Sequence, residues 1–344
     1  MIKNNQNTML HGFYRRRLRY ITVTFALFAI VICLAALMLI LGNVHYSPST
    51  VIKVLLQEQI KGATFAIGTL RLPRMLSGLF VGIAFGMAGN TFQTMLLNPL
   101  ASPDIIGVTS GSSVAAVFCI LILNISGNVV SIISVLCGIV VAGLIYILSK
   151  GGGFSGGRLI LIGIGIQSML NAVISFLLLR ANQYDVPAAL RWLSGSLNGI
   201  QMKHIKGLFM VVIIFGLFTV ILGRHLKILE LGDQSAITLG LKTNQTRLLL
   251  MMCSVFLIAF ATSVTGPVAF VAFLSGPIAL KLVGNGNLSV IPSGLVGAIL
   301  VLGADLLGQF AFDIKFPVGI ITGILGAPYL LYLLIRMNKR GGAA

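Results

Sequence analysis

Residues 21–41 read ITVTFALFAIVICLAALMLIL, 21 positions without one charged side chain. At 1.5 Å of rise per residue such a helix is about 30 Å long, the thickness of a bilayer's hydrocarbon core. The run is too long for a signal-peptide core and lacks a clean small-residue cleavage site, so it reads as a span. Comparable runs recur near 75–97, 105–123, 128–148, 159–179, 207–223, 248–265, 268–283, 290–312 and 317–335, which makes ten. The seventh and eighth are separated only by Gly266-Pro267. Across its 344 residues the chain is 57% apolar and 9% charged. A soluble domain carries roughly 25% charged residues, so a water-soluble globule is excluded, and so is a polar disordered chain. The ten-residue alternation of a transmembrane barrel is absent. The expectation is an all-α polytopic membrane protein with about ten transmembrane helices.

The charge pattern orients those spans. Twenty-four Lys and Arg against seven acids give a formal net charge of +17. The basic residues lie mainly between apolar runs, which points to topology and anionic headgroups of the lipid bilayer and away from nucleic acid. Ten is even, so both termini share a side. Lys3, Arg15, Arg16, Arg17 and Arg19 at one end and Arg336, Lys339 and Arg340 at the other predict that the side is cytoplasmic. On this topology fifteen basic residues fall inside and nine, among them Arg71 and Arg74, fall outside. The organisation expected is a basic segment over 1–20, one transmembrane domain over 21–335 with a cytoplasmic loop at about 224–247, and a tail over 336–344. Cys33, Cys119, Cys137 and Cys253 all sit inside apolar runs without paired spacing, and the four histidines are scattered. That gives neither a disulfide framework nor a metal site. Glycines at 78, 82 and 86, at 107 and 111, and at 319 and 323 put smooth strips on helix faces, suited to close packing inside a bundle or to a dimer contact.

Four stretches carry possible chemistry. Asn98-Pro99-Leu100-Ala101-Ser102-Pro103-Asp104 holds two prolines, so helix cannot run through it. Gly232 to Gly240 reads as a short helix with Asp233 as its N-terminal cap and Gly240 at its end, either an interfacial filler or a docking element. Gly153-Phe154-Ser155-Gly156-Gly157 has the spacing of a nucleophile elbow and of an intramembrane serine protease. No histidine lies in a span to serve as base, so that reading fails. No phosphate-binding loop occurs, so this chain does not itself hydrolyse ATP. Asp305, in Gly303-Ala304-Asp305-Leu306-Leu307-Gly308-Gln309, is the one acid deep in an apolar run. It is either a hydrogen-bonded helix contact or the relay of an ion-coupled secondary transporter. Gly266-Pro267 and Gly276-Pro277 are expected to break the seventh and eighth runs.

Taken in order, several motifs resemble the FecCD (BtuC-like) family, the permease subunits of ABC importers for iron complexes and cobalamin. They are Arg71-Leu72-Pro73-Arg74, Asn98-Pro99-Leu100-Ala101 with Pro103, Gly107-Val108 with Ser110-Gly111, and Trp192-Leu193 with Gly195-Ser196-Leu197. Leu231-Gly232 with Leu239-Gly240, Gly266-Pro267 with Phe270-Val271, Ala304-Asp305, Pro317-Val318-Gly319 and Gly326-Ala327-Pro328 complete the set, so the resemblance runs from about residue 47 to the end.

The resemblance implies a BtuC-like ABC importer permease fold in the cytoplasmic membrane of a bacterium, with no cofactor or metal in this chain. Its partners would be a second permease subunit, identical or paralogous, two cytoplasmic ATPase subunits carrying ATP-Mg, and an extracytoplasmic substrate-binding protein. Coupling to the ATPase is implied for Asp233, Ser235, Ala236, Leu239 and Gly240, with Leu239 as apolar anchor. Binding-protein docking is implied for Arg71 and Arg74, and a cytoplasmic gate for Ser155, Gly156 and Gly157. A ferric siderophore is the first expectation for cargo, haem or cobalamin the next. The chain departs from the family at Gln309, where some members carry an outer arginine. It departs again at Gly276-Pro277-Ile278-Ala279-Leu280, where Pro-His-Ile-Ala-Arg is common, and at Gly156 and Gly157, where relatives carry small hydroxyl residues.

Overall fold

The computed structural model describes residues 2–150, 156–284 and 286–341. Its elements in order are α1 (Ile2–Ile40), α2 (Pro48–Leu55), a π-helical stretch (Thr64–Arg71), α3 (Leu72–Met95), a 3-10 turn (Pro103–Ile106), α4 (Val108–Leu121), α5 (Asn128–Ser149), α6 (Gly156–Arg180) and α7 (Val186–Leu193). There follow α8 (Met202–Ile221), α9 (Gly223–Leu229), α10 (Asp233–Thr238), α11 (Thr243–Thr265), α12 (Val271–Val283), α13 (Val290–Phe310) and α14 (Val318–Gly341), with no strand among the described residues. Seven helices are long and apolar enough to cross a membrane, and three shorter apolar helices (Val108–Leu121, Val271–Val283 and Val318–Leu333) lie between or after them.

Side-chain and backbone contacts sort the helix ends into two groups. Arg71 donates to the carbonyls of Leu39, Ile40 and Val44, Ser196 N–H donates to Thr265 O, and Gly319 N–H donates to Gly195 O. At the opposite end Arg19 donates to the carbonyls of Lys281 and Leu282, and Ser289 bonds Asn90. Consecutive apolar helices therefore run in alternate directions, and the start of α1 and the end of α14 lie at the same end of the bundle. We call the two ends the Arg74 end and the Asp233 end.

Close packing of α3 explains its glycines. A Cβ at Gly82 would lie 2.5 Å from the carbonyl oxygen of Gly297, and one at Gly86 would lie 2.1 Å from that of Ser293, both on α13. One at Gly89 would lie 1.8 Å from Ala272 O on α12. The strip thus serves backbone contact inside the bundle, as small residues do where lipid offers no hydrophobic drive between helices. α3, α11 and α13 are mostly buried, whereas α1, α6 and α8 keep most of their surface exposed.

α1 runs unbroken from Ile2 to Ile40, and Arg19 caps the last carbonyls of α12. The structure corrects two expectations. The third apolar run becomes helical only at Val108, because Pro103 and Gly107 (φ +68°) hold the chain in a 3-10 turn before it. Gly266-Pro267 does end a helix, but Gly276-Pro277 does not, since α12 continues through Pro277. Proline removes the N–H that would serve the carbonyl four residues earlier. That carbonyl, Phe273 O, instead accepts from Gln93 Nε2 on α3 at 2.9 Å. A Cβ at Gly276 would meet Gln93 Oε1 at 1.9 Å, so the glycine makes room for the amide.

Candidate functional site

At the Asp233 end the chain makes a compact turn-helix-turn element. Gly232 enters it at φ +87° and Gly240 leaves it at φ +81°, with open space at both would-be Cβ positions. Gly240 N–H donates to Ile237 O at 2.8 Å and Leu241 N–H donates to Ala236 O at 3.0 Å. This paired closure is a Schellman cap, which needs a left-handed residue and so favours glycine.

Asp233 does not cap α10. The N-cap is Gly232, without a side chain, and the Asp233 carboxylate turns to Arg247 on α11 instead. Arg247 Nη1 donates to Asp233 Oδ2 at 2.9 Å, and Nη2 donates to Oδ1. A two-pronged charge-assisted pair outcompetes a single cap bond. The guanidinium hydrogen bonds hold the Asp233 carboxyl below its ordinary pKa, against a smaller opposing effect of burial.

Of the residues expected to couple to an ATPase, Ser235, Leu239 and Gly240 are exposed. Ala236 is not: it is fully buried and seats α10 on the bundle. Ile237 and Leu231, which sequence reasoning missed, are 59% and 60% exposed beside Leu239 at 61%. Their signal was helical spacing around Ala236, since a small inward residue leaves its near neighbours outward. Of the residues expected to form a gate, Ser155 lies outside the described residues. Gly156 opens α6 with its would-be Cβ 3.1 Å from Leu96 Cδ2, and Gly157 faces open space.

The Arg74 end holds the RLPR motif. Arg71 spends its guanidinium on Leu39, Ile40 and Val44 at 2.6–2.9 Å and lies 5.0 Å from the Tyr46 ring centroid. It thereby closes the C-terminus of α1, where orphan carbonyls and the helix dipole favour a cation. Arg74 donates from Nε to Asp305 Oδ2 and from Nη2 to Oδ1, both at 2.8 Å. Gln309 Nε2 adds a third bond, to Asp305 Oδ2 at 2.6 Å. Asp305 is 1% exposed and Arg74 21%. Both oxygens of Asp305 are therefore engaged in joining α3 to α13, the hydrogen-bonded contact of the two alternatives. Two cavities of about 490 and 440 Å³ open at this end, on either side of Asn198, Gly199 and Ile200. Arg191, Trp192 and His204 line the first, Arg71 and Arg74 the second.

The sequence pattern of the FecCD transport family matches residues 27–336. The chain belongs to that family. FepG, the ferric enterobactin transport system permease protein of Escherichia coli K12, is 33% identical over 300 residues, 87% of this chain and 91% of that protein. FhuG, the iron(3+)-hydroxamate import system permease protein of Bacillus subtilis 168, is 33% identical over 326 residues, 92% and 96% of the two chains. A solved metal-chelate type ABC transporter in an inward-facing conformation superposes with a TM-score of 0.82 at 26% identity, covering 92% of this chain and 100% of that one. As a FecCD member the chain is a membrane transport permease and not an enzyme, with the BtuC-like fold. It works with ATPase and permease partners, as ABC permeases do.

Proposed function

We propose that this chain is one of two permease subunits of a bacterial importer that carries a ferric siderophore, or a closely related iron chelate, across the cytoplasmic membrane. The relatives FepG and FhuG support that choice of cargo, haem and cobalamin being further from their printed specificities. Two ATPase subunits carrying ATP-Mg dock at the Asp233 end, and an extracytoplasmic binding protein docks at the Arg74 end, where Arg74 keeps some exposure beside its carboxylate partner. The ten apolar helices each cross the membrane, and the Asp233 end with both termini faces the cytoplasm. The bulky cargo passes between the two permease subunits, along the helix faces this chain leaves exposed. ATP-driven closure of the ATPase pair displaces α10, and the bundle exchanges outer for inner access between two packings.

The observation that carries this reading is α10 itself. It is a six-residue helix held by glycine turns, and Ile237 on it with Leu231 and Leu239 flanking it are exposed at the end opposite the RLPR motif. Leu239→Asp places an unpaired charge in the contact, a change that is costly when the charge is buried. We expect the ATPase to be lost from the purified complex and uptake to fall together, and Ile237→Asp to do the same. Wild-type association in both variants would remove α10 from the interface.

A further inference from the structure

The Asp233–Arg247 pair does more than fill a surface. α10 is bounded by Gly232 and Gly240, both at positive φ with nothing within 4 Å of a would-be Cβ, so these glycines are conformational pivots and not packing contacts. Ala236 is the buried residue of this six-residue helix, and a single methyl seats it on the bundle without fixing its direction. Among the described residues, the side-chain hydrogen bonds from α10 to another element are those between Asp233 and Arg247. Arg247 is 5% exposed, so its guanidinium is fixed by the bundle, and the two-pronged geometry fixes direction as well as distance.

Arg247 stands in the second turn of α11, whose 23 residues span about 34 Å. Most of α11 is buried. Its far end meets the Arg74 end of the molecule. Thr265 O accepts from Ser196 N–H at 2.7 Å, Ser263 O accepts from Ser131 Oγ at 2.9 Å, and a Cβ at Gly266 would lie 2.1 Å from Trp192 O. Ser263, Val264 and Thr265 also line the larger cavity. One rigid rod thus connects the docking helix with the outer mouth.

We propose that Arg247 is a positioning residue for transport: its pair with Asp233 locks α10 to α11, so that displacement of α10 is delivered along α11 to the α7 region and the outer cavity. Without the pair the two glycine pivots absorb the displacement. This rests on α10 being the ATPase-docking helix, and the test separates the two ideas.

The complete complex is reconstituted with its ATPase in a Cys33→Ser background, with a fluorophore on Leu190→Cys, an exposed position on α7. ATP with vanadate drives the signal, so no cargo is needed. Arg247→Gln removes the charge behind the docking face without touching an exposed residue. We expect it to retain the ATPase at wild-type stoichiometry and to keep basal hydrolysis within twofold. The nucleotide-driven change at position 190 should fall at least fivefold. Arg247→Lys, a smaller change that cannot make the two-pronged contact, should behave likewise, and the reversed pair Asp233→Arg with Arg247→Asp should recover at least half of the signal. A wild-type signal in either single variant overturns the proposal, and so does loss of ATPase binding in folded Arg247→Gln. Leu239→Asp is the control for the underlying reading: if it retains the ATPase, α10 is not the docking helix and the fault lies there.

Discussion

Arg71 and Arg74 belong to one four-residue motif, yet the bundle uses them differently. Arg71 closes α1 through two of its last carbonyls and that of Val44 just beyond, and Arg74 answers a carboxylate 231 positions away. Removing one member of a buried pair leaves the other charge without compensation, at about 3–5 kcal/mol when both are fully buried. Arg74 keeps some water contact, so Arg74→Ala should cost on the order of 2 kcal/mol. Arg74→Met combined with Asp305→Leu removes both charges and should melt closer to the wild type in detergent than either single change. A double variant no more stable than the singles would show that the pair's charges are not what holds α3 to α13. The sequence marks both residues as unusual, an outer cation and an intramembrane acid, but their union depends on how α3 meets α13 and has no local signature. Asp233 shows the reverse error. Its place before a short helix suggests a cap, and only the nearby start of α11 reveals the stronger competitor, Arg247.

The helices themselves were the most legible feature, because twenty apolar residues in a row admit few structures. Their ends were less so. Pro277 looks like a breaker, and local rules alone give it no alternative. The rescue comes from Gln93, 180 positions from the carbonyl it serves. Gln93→Leu should leave Phe273 O unpaired in the core and destabilise by about 1–3 kcal/mol. Pro277→Ala supplies an N–H at the proper place in α12, so adding it to Gln93→Leu should recover much of that loss. The double-mutant cycle is read from thermal melts, and strict additivity of the two changes would refute the link between amide and proline. The π-helical stretch before α3 and the 3-10 turn before α4 also fall at the starts of apolar runs, at 75–97 and 105–123, whose hydropathy alone does not mark the boundary, and Pro103 and Gly107 set the second.

Alternation of ten apolar helices gives the molecule two chemically distinct ends. The Asp233 end gathers fifteen of the 24 basic residues when both termini are counted with it, and the Arg74 end gathers nine. Positively charged segments resist translocation, so the orientation we propose puts the richer end in the cytoplasm. The margin is moderate because Arg71 and Arg74 are held at the Arg74 end by partners of their own, carbonyls for one and a carboxylate for the other. Their charges are a requirement of packing and so dilute the topological signal. Two positions decide the orientation. Gln234 is exposed on α10, and Tyr184, 95% exposed, sits at the far end between α6 and α7. In a Cys33→Ser background, a cysteine at 184 should react with a membrane-impermeant maleimide in intact spheroplasts, while one at 234 should react only in inverted vesicles. The reverse pattern would place α10 outside, out of reach of any cytoplasmic ATPase. It would then require the fifteen basic residues to have crossed the membrane against the rule that orients the rest of the bundle.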